Sequence, residues 1–234
     1  MRAVWKKELY QYVTSMIGAV FLASYAGMVG YYFTVGNLLA ANGDVSALFH
    51  SVFSVLMVFI PMLTMRLFAE EKKLRTEQLL FTSPASVSQI VMGKFLAAFC
   101  IFLVGNIPVV IAVVILGYYG SFYCLETVGN LYGLCLAGAA FLSIGLFSSS
   151  VTENQLVAAI MSYVIMLGLW MLDFLKYYIQ NHWLIAMIEY LSFRAHFEEL
   201  SAGIFSFASI IYFTTLTLLM LGWTQLILES RRWK

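Results

Sequence analysis

Residues 95–116 read FLAAFCIFLVGNIPVVIAVVIL, an unbroken run without one charged side chain. The hydrocarbon layer of a bilayer is about 30 Å thick and takes ~20 such residues as a helix. A helix this apolar all round suits surroundings of lipid or of other apolar helices. Strands could cross only as a closed barrel with dyad alternation, and the sequence shows no such alternation. Outward from this segment, other stretches share its character, giving spans at about 14–39, 49–67, 95–116, 128–147, 156–175 and 204–228. Composition agrees: 62% of residues are hydrophobic, 11% are charged, and mean hydropathy is +0.88. Soluble domains carry roughly 25% charged residues, so a soluble globule is excluded. The expected fold is an all-α polytopic membrane protein, a single six-span domain over residues 1–234.

The remaining charge is placed unevenly. Arg2, Lys6 and Lys7 precede the first span; Arg66, Lys72, Lys73, Arg75 and Lys94 flank the connection after the second; Arg231, Arg232 and Lys234 close the chain. These are eleven of the thirteen Lys and Arg residues, and only Lys176 and Arg194 fall on the other side. By the positive-inside rule both termini and the 66–94 connection are expected in the cytoplasm. The first apolar run, about 25 residues, exceeds the 7–15 of a signal-peptide core and is expected to stay as a span. Ahead of it, Trp5, Leu9, Tyr12, Val13 and Met16 recur at helical spacing with Lys6, Lys7 and Gln11 on other faces. That pattern predicts an N-terminal amphipathic interfacial helix, with Trp5 and Leu9 in the boundary layer and Lys6 and Lys7 reaching headgroups. A simple charged flank orienting the first span is the alternative.

Several chemistries have no residues to carry them. No GxxxxGK[ST] occurs, since Gly93-Lys94 is followed by Phe95 and lacks the preceding glycine, so the chain has no P-loop. No HExxH or GxSxG occurs, and the spans are almost free of ionisable side chains, which weighs against proton-coupled carriers and intramembrane hydrolases. Cys100, Cys124 and Cys135 form no CxxC pair, so neither a disulfide framework nor a zinc site is expected. A net charge of +1 gives no basic face for nucleic acid.

The informative segment is 69–94, AEEKKLRTEQLLFTSPASVSQIVMGK. Glu70 to Arg75 is dense in charge of both signs, while Leu67, Leu74, Gln78 and Phe81 would share one stripe of a helix. Pro84 ends that helix, and Ser86-Val87-Ser88-Gln89 fits a capping box that starts the next. The expectation is a short amphipathic helix between spans two and three, able to pass a push from a soluble partner into the bilayer. An ordinary solvated connector is the alternative.

Glu70-Glu71-Lys72-Lys73, Thr76-Glu77-Gln78-Leu79-Leu80, Ser83-Pro84-Ala85-Ser86 and Gly93-Lys94 resemble the region after the second span of ABC-2 type permeases. These are the membrane subunits of ABC exporters, and the closest resemblance is to the gliding-motility-associated branch. The basic N-terminus, the six spans and the outer segment 191–203 fit the same pattern. One departure is that many members read Gly-Thr-x-Glu where this chain has Arg75-Thr76-Glu77-Gln78, so the acid has moved by one residue. The resemblance implies a permease of the bacterial plasma (inner) membrane. It implies pairing with a second or similar copy, coupling to a separate ATP-binding subunit that holds ATP and Mg, and an extracytoplasmic accessory protein as a further partner. The chain itself would be no enzyme and hold no cofactor. On this likeness Glu70, Glu71, Lys72, Lys73, Arg75, Thr76, Glu77 and Gln78 would form the ATPase-coupling interface. Leu74, Leu79, Leu80, Phe81 and Pro84 would pack the coupling helix onto the spans, and charge reversal at Glu71 or Glu77 would uncouple without unfolding. The alternatives are a mechanotransmitting or assembly subunit that passes no solute, and a channel or carrier unrelated to ABC systems.

Other features admit two readings each. Gly129, Gly133 and Ala137 form a small-residue stripe for packing within the chain or across a dimer. Pro61, and Pro108 beside Asn106, mark a static bend or a hinge. Arg194, His196, Glu198 and Glu199 suit an outer gate or exit, or an inert polar loop, and lack a third ligand for metal. Asp173 and Lys176 are spaced for an ion pair, and Trp170, Tyr177, Tyr178 and Trp183 for an outer aromatic belt.

Overall fold

The computed structural model describes residues 1–76, 86–119, 124–176, 181–204 and 206–232, and every regular element among them is helical. In chain order the helices are α1 (Arg2–Thr14), α2 (Met16–Phe33), α3 (Val45–Thr64), α4 (Ala69–Lys73), α5 (Val87–Gly105), α6 (Ile107–Tyr119), α7 (Cys124–Val151), α8 (Gln155–Leu175), α9 (His182–Leu191), α10 (Phe193–Ser201) and α11 (Phe207–Arg232). A π-helical turn, Thr34–Leu39, extends α2.

Six segments are long and apolar enough to cross a membrane: Met16–Leu39, Val45–Lys73, Val87–Tyr118, Leu125–Val151, Gln155–Leu175 and Phe207–Arg231. Each overlaps a span expected from the sequence. Several run further, two of them across a break: Val45–Lys73 joins α3 to α4, and Val87–Tyr118 joins α5 to α6. The chain is a multi-pass, all-α membrane protein.

Side-chain caps set where the helices start. Ser15, Asp44, Ser86, Asn154, Asn181 and Ser192 each accept a backbone N–H from the first turn of the helix that follows, satisfying a donor that has no partner within the helix. The expected start at Ser86 is therefore present, with Gln89 N–H donating to its Oγ over 3.3 Å. Span three is divided. Asn106 separates α5 from α6, its side-chain amide donating to the Phe102 carbonyl at 2.9 Å and its Oδ1 accepting from the Tyr25 hydroxyl at 3.0 Å. Pro108 cannot donate a backbone hydrogen bond, which places the break beside it. Pro61 lies within α3, buried and unbroken.

α3 and α7 form the centre, with 67% and 72% of their apolar windows buried, against 17–22% for α2, α8 and α11. Phe53 of α3 stacks on Phe197 of α10 at 4.4 Å, and Phe141 of α7 lies 5.0 Å from Phe193 of α10. These rings seat α10 on the core. Gly129 and Gly133 face Leu200 of α10, where a Cβ on Gly129 would overlap the Leu200 carbonyl oxygen. The first half of the small-residue stripe therefore packs within the chain. Trp183 is exposed as a belt residue would be, whereas Trp170 packs partly on the core; Tyr177 and Tyr178 lie outside the described residues.

Candidate functional site

α1, the turn and α4 over residues 65–76, the start of α5 and the end of α11 meet at one end of the bundle. α3 ends at Thr64, the chain turns through residues 65–68, and α4 follows. One hydroxyl organises this turn. Ser149 of α7 accepts the backbone N–H groups of Phe68 (3.0 Å) and Ala69 (3.1 Å) and donates to the Met65 carbonyl (3.0 Å). Its two acceptor positions and its one proton are then all used. Leu67, Phe68 and Ala69 are buried against the same neighbours.

Lys94 of α5 lies at the centre of the junction and is 1% exposed. Its ammonium donates to Glu8 Oε1 of α1 at 2.9 Å and to the Leu67 carbonyl at 2.6 Å. Glu71 Oε2 of α4 lies 2.9 Å away as an ion pair, off the axis of an aligned hydrogen bond. The Phe68 ring closes the remaining side at 5.0 Å. Lys7, half exposed, approaches Glu71 at 3.4 Å and Glu8 at 4.0 Å, so two acids meet two lysines and the group is neutral. A lone buried ammonium would be costly to desolvate; here three oxygens and a ring face replace its water. One turn along α1, Tyr12 donates to the Leu63 carbonyl at 2.8 Å beneath the Arg66 guanidinium. Burial, with the nearby Glu8 carboxylate adding to it, pushes the Tyr12 phenol above the ordinary tyrosine range and keeps it a donor.

α1 therefore turns Glu8 and Tyr12 toward the rest of the chain, while part of its apolar stripe stays outside. Glu8 and Tyr12 are buried, Trp5 and Leu9 are half-buried, and Val13, Met16 and Lys6 are exposed. The protein-facing side carries an acid because a buried lysine awaits it. Behind this face, Ser15 breaks α1 from α2, and a Cβ on Gly18 would overlap the Tyr12 carbonyl oxygen. Only glycine fits that corner.

Of the expected coupling helix, the described residues hold its first part, α4, and residues 77–85 lie outside them. α4 ends after Lys73 in a turn where Thr76 N–H bonds the Glu71 carbonyl at 2.9 Å and Arg75 takes φ 56°. This closing bond with a left-handed residue before it is a helix terminator. Leu67 and Leu74 therefore do not continue one stripe. Leu74 is 64% exposed rather than packed on the spans, and Leu67 and Phe68 make that contact instead. The interface residues divide likewise. Glu71 faces inward onto Lys94, and Lys72 pairs with Glu153 at 3.3 Å, while Lys73, Arg75 and Thr76 point out and Glu70 is half-buried. Glu71 is thus a structural partner of Lys94. Glu77, Gln78, Leu79, Leu80, Phe81 and Pro84 lie outside the described residues.

At the opposite end the four residues expected at an outer exit fall into two groups. Arg194 pairs with Glu198 at 2.6 Å beside a cavity of about 290 Å³ that His50, Ser54 and Trp170 also line. His196 and Glu199 line another cavity, of about 400 Å³, with Glu189 and Tyr190. His196 stacks on Tyr212 at 4.3 Å and its Nδ1 lies 3.0 Å from Ser209, whose hydroxyl donates to Glu199 at 2.6 Å. Asp173 and Lys176 form the expected pair at 2.6 Å. Among the described residues no group of three His, Cys, Asp or Glu side chains could hold a metal ion.

Glu8, Ser149 and Glu153 escape a reading by periodicity, since each is a single polar residue whose partner is distant in sequence. The one local signal is Lys94 itself, a charge at the mouth of a long apolar run. No protein-family model and no curated protein matches the chain significantly.

Proposed function

We propose that this chain is the membrane subunit of an ABC exporter of the ABC-2 type, with both termini and α4 on the cytoplasmic side of a bacterial inner membrane. The supporting observation is the construction of α4. Its inner side is tied to α1, α5 and α7 through Glu71, Lys94, Glu8 and Ser149, while Lys73, Arg75 and Thr76 face outward. A short rigid element joined to several spans, with a charged free side, suits the transfer of a push from a separate ATPase. Arg75, at the position where permeases of that type often carry glycine, adopts the left-handed backbone that glycine favours. The excess of Lys and Arg at this end agrees with a cytoplasmic location.

ATP-driven movement of the partner would shift α4 and bias the spans between two arrangements. Purification in mild detergent from native membranes tests the reading. A P-loop ATP-binding subunit that co-purifies, and whose hydrolysis responds to substitutions on the outer side of α4, is the expected result. A chain that purifies without any ATPase and conducts or exchanges solute alone contradicts it.

A further inference from the structure

Span five is tied by ion pairs and hydrogen bonds at its two ends. At one end Glu153, next to the capping residue Asn154, pairs with Lys72 of α4 at 3.3 Å. At the other, Asp173 accepts a hydrogen bond from Ser192 at 3.1 Å, and Lys176 lies 3.6 Å from Glu189. Between these ends the buried positions of α8 are Ala158, Ser162 and Met166, and the Ser162 hydroxyl turns back onto its own helix at the Ala158 carbonyl, 2.7 Å away. Two of those three positions, Ala158 and Ser162, are small and lie in the half nearer α4, while Ile165, Leu169 and Trp170 pack partly buried on the core in the far half, so the near half is the more lightly held and the far half carries its movement to the cavity. Near the far end Trp170 forms one wall of the 290 Å³ cavity, opposite His50, Phe53 and Ser54 of α3. The ends are held by partly exposed ion pairs, which exchange partners readily.

We propose that α8 is a lever: a displacement of α4 reaches Glu153 through Lys72, travels along the rigid helix, and changes the width of the outer cavity at Trp170. This extends the coupling proposed above to a second span, and its test uses the chain without any ATPase, so each idea can fail separately.

The measurement is the maleimide reactivity of Ser54→Cys in the full chain in lipid nanodiscs, with Cys100, Cys124 and Cys135 replaced by alanine. Leu125→Cys, exposed on α7 away from the cavity, is the control reporter. Glu153→Lys is expected to change the rate at position 54 by about threefold, the scale of a surface ion pair, and to leave position 125 unchanged. Lys72→Glu combined with Glu153→Lys restores the original rate. Glu153→Gln, which only removes the pair, shifts the rate the same way by less. Equal reactivity at position 54 in the reference, Glu153→Lys and Glu153→Gln proteins overturns the proposal, as does failure of the double reversal to restore it.

Discussion

The two ends of the bundle use charge in opposite ways. At the terminal end Lys94 is 1% exposed and held by Glu8, Glu71 and a carbonyl, whereas at the far end Arg194 and Glu198 form a pair with both side chains 44% exposed. A buried charge that loses its partner cannot regain water, so the first arrangement is fixed once formed. The second stays in contact with solvent, where either partner can leave at small cost. The junction that would receive a push is thus the rigid end, and the end lined with cavities is the compliant one.

Substitutions can break this contrast, beginning with the largest effect. Lys94→Met leaves Glu8 and Glu71 with only the half-exposed Lys7 as a counter-charge and is expected to lower stability by about 3–5 kcal/mol, read as a fall in the thermal unfolding midpoint in detergent. Adding Glu8→Gln and Glu71→Gln to Lys94→Met should recover part of that loss, and a triple variant no better than the single would contradict the electrostatic account. Ser149→Ala strands two N–H groups and a carbonyl at the start of α4, for a loss of ~1–3 kcal/mol, and hydrogen exchange at Phe68 and Ala69 should quicken. At the opposite end, Arg194→Ala is expected to change stability by only about 0.2–1 kcal/mol. A larger fall would mean that the outer network is as fixed as the inner one.

The contrast also explains how much was legible beforehand. The spans were, because an apolar run of sufficient length is a local property and a bilayer imposes helix on it. The caps at Ser86 and the rim pair Asp173–Lys176 were, because their partners lie within one helical turn. The junction was not. Glu8 and Lys94 are 86 positions apart, and each in isolation reads as a charge for solvent. The protein-facing side of α1 was legible only in part: the expected stripe of Trp5, Leu9, Tyr12, Val13 and Met16 includes the buried Tyr12, but the buried Glu8 beside it gives no periodic signal. The backbone reversal at Arg75 was not legible either, since charge and leucine spacing carry no signal for a left-handed residue there.

The central claim is that α4 has an inner side that holds the protein together and an outer side that meets an ATPase. The direct test compares Glu71→Lys with the paired reversal Lys73→Glu and Arg75→Glu, scoring each for thermal stability and for retention of the co-purified ATPase. The account predicts that Glu71→Lys destabilises the chain itself, and that the paired reversal leaves its stability unchanged while the ATPase is lost. A stable Glu71→Lys protein, or an ATPase retained in full by the paired reversal, would contradict it.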